Sequence, residues 1–297
     1  MLDKSNLSRR SYLSGTLLAG LVAAAARPLS ALGASGASPV PSDSKIPIGL
    51  ELFSVRNDLA KDLNGTIRRV VAMGFPILEF FGPYYQWTPA QAKDVRKLMD
   101  DLNVRCLSTH NDVAAFTPAS LPKTIELNRI LGAHYIVMVR REPIDSMDAW
   151  KRDVADVLTA ANNTLNQHEM HAAYHNHEQE WLPIQGKLPL QVIASNTPAD
   201  VMMQLDAGTC LKTGNDPIAW IERNPGRTKS VHLKEWTPTR GYRAVLGDDG
   251  VTPWSNLLAA AESVGGVEYY ILEQEECDFE PMDAVKRGLA VFKKLQS

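Results

Sequence analysis

From residue 45 onward, short apolar runs alternate with longer segments whose apolar residues recur at helical spacing. The short runs predict strands at IPIGLELFS, PILEFF, VRCLSTH, HYIVMVR, MHAAYHNH, DVMMQLDAG, TKSVHLKE and EYYILEQE. The longer segments between them predict helices. LNGTIRRVVAMG stops at Gly74. TPAQAKDVRKLMDDLN begins with Thr88 as cap and Pro89 in the first helical position. LPKTIELNRILG, SMDAWKRDVADVLTAANNTLNQH, LPLQVIASN, DPIAWIERN, PWSNLLAAAESVG and EPMDAVKRGLAVFKKLQ continue the series. Strand–helix units in this number, over roughly 250 residues, predict an α/β protein with one (β/α)8 TIM-barrel domain. A doubly wound open sheet is the main alternative, but it lacks a Gly-rich phosphate loop after its first strand.

The first residues break this rhythm. SRRSYLSGTLLAGLVAAAA carries Arg9 and Arg10, then Tyr12 and Leu13, then a short apolar run ending in small residues. The run is too brief for a comfortable membrane span. It is similar to a twin-arginine export signal; the other reading is a basic tail before a helix. The expected division is a signal over 1–37, a flexible lead-in over 38–45 and the barrel over 46–297. Cleavage after Gly33 or after Ala37 suits the small-residue rule. Export places the mature protein in the periplasm or outside the cell, with no membrane anchor once the signal is removed.

Composition narrows the function classes. The chain has 297 residues, a formal net charge of −3 and 44% hydrophobic residues, ordinary for a domain with a sizeable core. A mildly acidic protein is a poor partner for nucleic acid, whose phosphates call for a basic surface. Cys106, Cys210 and Cys277 are odd in number and contain no CxxC, so no disulfide framework is expected; an oxidising periplasm would permit one bridge, and the favoured reading is buried small apolar residues. A homo-oligomer remains open.

A barrel of this kind carries its chemistry at the C-terminal ends of its strands. The polar residues there are Glu51, Glu79, His110, Arg140 and Arg141, His175 and His177, Asp206, His232 and Lys234, and Glu273 and Glu275. Alternate residues of a strand point the same way, so His175 pairs with His177 and His232 with Lys234. Asp206 is followed by Ala207 and Gly208, where backbone or ligand can approach closely. Either His175 or His177, with Asp206, His232 and Glu273, supplies nitrogen and oxygen donors from four consecutive strands. That set suits a divalent ion such as Zn2+, Mn2+ or Co2+. Glu79 reads equally as a ligand contact or as the partner of an arginine. Glu51, His110, Arg140, Trp181 and Trp236 are candidate pocket residues.

In order, GLELFSVRNDL, YHNHEQEW, QLDAGTCLKTGNDP, VHLKEW and EYYILEQEEC resemble the sugar phosphate isomerase/epimerase superfamily of xylose isomerase-like barrels. The resemblance spans most of the chain after the signal. It implies one divalent metal at the barrel mouth, bound by Asp206, His232, Glu273 and a residue of the fifth strand. Many members carry Glu-Asn-His on that strand, and here His175 stands in the place of the glutamate. The chain also lacks the histidine that many epimerases carry three residues after the aspartate. Epimerisation by two metal-bound glutamates therefore does not transfer directly. Proton abstraction next to a carbonyl remains, with His177, Glu180 or Lys234 as base or acid; Glu180 reads equally as a group fixing an imidazole.

Three functions follow. The first is a metal-dependent isomerase or epimerase of a small sugar or keto-sugar. The second is an exported lyase or hydrolase cleaving 3-keto-glycosides by elimination. The third is a non-catalytic periplasmic sugar-binding barrel.

Overall fold

A computed structural model describes residues 45–248 and 252–297. The expected export signal, both cleavage points and the lead-in up to Ser44 lie outside the described residues. Strands β1 (Ile48–Glu51), β2 (Ile77–Phe80), β3 (Arg105–Asp112), β4 (Tyr135–Val139), β5 (His171–His175), β6 (Met202–Asp206), β7 (Ser230–Leu233) and β8 (Tyr269–Leu272) pair in sequence order. They form a closed parallel barrel, β8 returning to β1. The predicted (β/α)8 TIM barrel is the observed fold, and the open sheet is excluded by closure.

Local chemistry sets the element ends. The helix Leu63–Met73 stops at Gly74, whose φ of +104° favours glycine. The helix Pro89–Asp101 starts in a capping box between Thr88 and Gln91. The closing helix Pro281–Leu295 buries Val285, Leu289 and Phe292 against the barrel wall. Each such side chain contributes about 1.5–3 kcal/mol when buried. Gly288 allows the close approach, since a Cβ there would lie 2.9 Å from Leu272 Cδ2.

Three elements differ from the sequence expectation. The predicted long helix after Ser146 is continuous from Met147 to Leu165 but not regular, widening into a π turn at Lys151–Ala155. Trp150, Val154 and Leu158 nevertheless all remain buried. Strand β5 ends at His175, so His177 stands on the following loop. A short helix, Ala207–Lys212, follows β6 directly because Asp206 caps it, its Oδ1 accepting Thr209 N at 3.0 Å.

The barrel interior changes chemistry with height. Near the bottom, Ile77, Tyr269 and Ile271 pack together, and Val137, Ala173 and Met202 form a second apolar cluster. Gly49 fits between Ile77 and Ile271, where a Cβ would meet both at 2.8 Å. Two residues further along the strands, with the same inward direction, stand Glu51, Glu79, His175, Gln204, His232 and Glu273. The functional layer thus rests on an apolar plug. Cys106, Cys210 and Cys277 are free thiols. No described helix is long and apolar enough to cross a membrane.

Candidate active site and metal centre

The mouth of the barrel holds a cavity of about 330 Å3. Its wall includes Glu51, His110, Arg141, His175, His177 and Lys234, with Glu273 and Glu275 from the end of β8. Phe53 and Phe81 meet edge to face at 5.4 Å and make its apolar side.

Beneath the cavity, Glu79 organises the polar layer. Its Oε1 accepts hydrogen bonds from Ser108 Oγ and, at 2.8 Å, from Gln204 Nε2. Its Oε2 lies 2.7 Å from His232 Nε2 and 3.3 Å from His110 Nε2. The sequence reading of Glu79 as the partner of an arginine is not what the structure shows, since its close partners are imidazoles; Glu79 also offers an oxygen to a candidate ligand group with Glu51 and His110. The other ring nitrogen of His232, Nδ1, lies 2.9 Å from Glu273 Oε2. Burial opposes charge on His232, but Glu79 and the hydrogen bonds to Glu273 and Glu79 raise it to about 9. Burial would raise Glu79 as well, yet His110 and His232 hold its carboxyl well below the usual range.

Lys234 stands over this layer. Its Nζ contacts Asp206 Oδ2 at 3.3 Å, Glu273 Oε1 at 3.5 Å and Glu275 Oε2 at 2.6 Å. Those carboxylates overcome burial and keep the ammonium charged. The Tyr242 ring lies 4.6 Å from the same nitrogen, and Tyr242 donates its hydroxyl to Glu178 at 2.7 Å. Burial lifts Asp206 to about 6, against the pull of Lys234. Glu51 is raised well above the usual carboxylate range, by burial and then by Glu79 and Glu273 beside it, and its buried Oε2 has no hydrogen-bond partner among the described residues.

His175, Asp206 and Glu273 each offer a ligand atom, all within 4.8 Å of one another. His175 Nε2 and Asp206 Oδ2 are 3.7 Å apart. Two donors bound side by side on one ion at about 2.1 Å lie about 3 Å apart, so the 2.9 Å between His232 Nδ1 and Glu273 Oε2 suits cis ligation. His175, Asp206 and Glu273 therefore fit a divalent ion, with His232 beside Glu273; His232 also groups with His110 and His175. An ion there would take the two carboxylates that Lys234 also contacts, leaving the ammonium its contact with Glu275. It would also release the proton shared by His232 and Glu273. Asp206 is well prepared, since its Oδ1 is fixed by Thr209 and only Oδ2 faces the centre. Asn176 ties the ends of β5 and β6 together, its Oδ1 accepting Asp206 N at 3.1 Å and its Nδ2 donating to Thr209 Oγ1 at 2.7 Å.

The remaining sequence candidates divide. His177 lines the cavity beside His175, ring centroids 5.1 Å apart. Burial, and then Lys234, lower it to about 4, so it is neutral at pH 7. Glu180 does not line the cavity. It is fully buried, accepting Tyr174 OH at 2.7 Å and His177 N at 2.7 Å, and it fastens the loop that carries His177. Burial raises it to about 7 despite those bonds. Arg140 also turns away, its Nε donating to Glu142 O at 3.1 Å. Its neighbour Arg141 reaches the cavity instead, 5.4 Å over the Phe53 ring. Trp236 lines a separate surface depression with Lys212 and Arg240, and Trp181 is buried against Trp220.

Sequence reading missed Gln204. It lies two residues before Asp206 on β6 and shares its inward direction, which was the available signal. Gly208 was singled out for close approach, and what approaches is protein: an added Cβ would lie 2.7 Å from Lys234 O. Gly208→Ala is expected to cost about 1–3 kcal/mol by overpacking. A urea-unfolding midpoint equal to that of the parent protein would contradict this contact.

A family profile described as the xylose isomerase-like TIM barrel matches residues 67–295. Among solved structures, a sugar phosphate isomerase/epimerase from Parabacteroides distasonis ATCC 8503 is similar with a TM-score of 0.72 and 22% identity, covering 86% of this chain and 97% of that one. A D-psicose 3-epimerase from Clostridium cellulolyticum H10, crystallised with D-tagatose, has a TM-score of 0.63 and 12% identity, covering 84% and 99%. An L-ribulose 3-epimerase has a TM-score of 0.62 and 18% identity, covering 85% and 95%. No curated protein sequence matches. At these identities the structures speak for the fold, and the profile match over most of the chain settles the family: this protein belongs to the xylose isomerase-like TIM barrels.

Proposed function

We propose that the protein is a divalent-metal-dependent enzyme that removes a proton next to the carbonyl of a sugar or keto-sugar. The observation that carries this reading is the gathering of His175, Asp206 and Glu273 donors at the floor of a polar cavity. The epimerases among its structural neighbours support the substrate class. Bound there, an ion such as Mn2+, Co2+ or Zn2+ would polarise the carbonyl and stabilise the enediolate. The chain supplies the rest. His177, neutral and on the cavity wall, is placed to accept a proton, and Lys234 offers charge to an oxygen. Arg141 and Phe53 line the same cavity.

A second reading has its own support. Two titratable groups facing the cavity are pushed in opposite senses: the Glu51 carboxyl is raised well above the usual range by burial, and the His177 imidazole is lowered to about 4. One acid and one base of different kinds suit elimination from a 3-keto-glycoside, where the base takes the C–H proton and the acid protonates the departing oxygen. Export through the paired arginines, which we also propose, favours a glycoside over a sugar phosphate. The carboxylates Asp112, Glu273 and Glu275 on the cavity wall point the same way, because they repel phosphate.

The test begins with metal. Protein purified without added metal or chelator is expected to contain about one equivalent by elemental analysis, lost in a folded Asp206→Ala, His232→Ala variant. Absence of metal in the parent protein, with none taken up from Mn2+, Co2+ or Zn2+, would sink the enzyme reading and favour a binding barrel. Conversion of a ketose without fragmentation then distinguishes the isomerase from release of an aglycone, which marks the lyase.

A further inference from the structure

A histidine ligand poses a problem that a glutamate does not. An imidazole binds metal only through a nitrogen that carries no proton, so its tautomer must be set from the other side. His175 occupies the strand-five position, and the group on its far side is Gln204. Gln204 Oε1 lies 3.1 Å from His175 Nδ1 and 2.8 Å from His110 Nε2.

The orientation of the Gln204 amide is forced. Its Nε2 donates to Glu79 Oε1 at 2.8 Å. Turning the amide over would set its oxygen against that carboxylate and its NH2 against the two imidazoles. With Oε1 towards the imidazoles, both facing ring nitrogens must be donors. His175 therefore carries its proton on Nδ1 and presents a bare Nε2 to Asp206. The same Glu79 holds the Nε2 proton of His232, leaving His232 Nδ1 facing Glu273.

We propose that Gln204 is a positioning residue that locks His175 in the metal-binding tautomer, and that Glu79 anchors both imidazoles of the centre, His232 directly and His175 through Gln204. The inference rests on reading the mouth as a metal centre, but its first test does not need metal. All of the residues in this relay are at most 2% exposed, so water does not compete for the bonds.

The experiment is nitrogen-15 NMR of the histidine rings in metal-free, full-length protein, followed by titration with Co2+ read by its visible absorption. In the parent protein His175 is expected to be protonated at Nδ1 and bare at Nε2. In Gln204→Met, which keeps the volume and removes the acceptor, His175 is expected to lose that preference, and the Co2+ dissociation constant to rise 10- to 100-fold. Gln204→Glu restores the acceptor, so it should recover the tautomer and most of the affinity while remaining less stable beside Glu79. A His175 protonated at Nε2 in the parent protein overturns the proposal, whatever the variants do. So does a Gln204→Met protein that keeps both tautomer and affinity. A parent protein with the expected tautomer and no metal binding overturns the proposed function and the metal-binding role given to that tautomer, while leaving the hydrogen-bond lock itself in place.

Discussion

Chelator-treated Glu79→Ala protein is expected to be less stable than its parent by about 3–5 kcal/mol, the cost of removing one partner of a buried ion pair. Glu79 is fully buried and answers Ser108, Gln204, His110 and His232 at once. Without it, the Gln204 amide and the Ser108 hydroxyl lose an acceptor in a place without solvent. His232 keeps only Glu273 and must give up its charge or carry it poorly compensated. Alanine also leaves a cavity under the site. Glu79→Gln preserves the volume and part of the bonding, so its loss should be smaller, about 1.5–3 kcal/mol for hydrogen bonds to a charged group. Urea unfolding with unchanged m-values measures both. An alanine variant within about 1 kcal/mol of the parent would mean that the imidazoles do not depend on this carboxylate.

The importance of Glu79 was hard to read from the chain, and the reason is physical. PILEFF is apolar on both faces because a barrel strand is covered inside and out, so alternation gives no clue to which side a lone glutamate takes. The clue lies on other strands, in the inward His110, Gln204 and His232, and those converge only when the sheet closes. The strands and most helices were legible for the opposite reason: turn glycines, caps and apolar spacing act within a few residues. Gly74 and Thr88 end or begin helices where the sequence placed them.

Site residues followed the same rule. Asp206 and His232 lie on their strands and Glu273 directly after β8, where period-two direction still applies, and the fold brings them together around Lys234 and Glu79. Arg140 and Arg141 lie past the end of β4, where that period no longer holds, and it is Arg141 that turns over the mouth. Trp236 fails for a similar reason: β7 ends at Leu233, and Trp236, three residues beyond it, lines a separate depression. Glu180 illustrates a different limit. Its proximity to the histidines in sequence suggested chemistry, but its two oxygens are occupied in holding Tyr174 and the backbone of His177.

Between pH 7 and pH 9 the metal-free protein should lose about 2 kcal/mol of stability. His232 titrates at about 9 in the folded protein, against about 6.5 for a free histidine. Its contribution is therefore fully present below pH 6.5 and is lost as the pH rises through 9, because the folded state binds the proton that the unfolded chain has released. Glu51, raised by burial and by Glu79 and Glu273, and Glu180, at about 7, act in the same direction. His177, at about 4, is neutral in both states over this range and does not oppose them. Urea midpoints at several pH values measure the slope, and His232→Gln should flatten most of it. Stability that stays level or rises from pH 7 to 9 would mean that His232 is neutral and that Glu79 and Glu273 do not share its two protons. Loading with Mn2+ gives the complementary result. If the proposed centre takes an ion at His232 Nδ1, the ion would replace the proton that the pH rise removes, and its binding would strengthen as the metal-free protein weakens. The loaded protein should hold its stability to pH 9, and the gap between loaded and metal-free midpoints should widen steadily with pH.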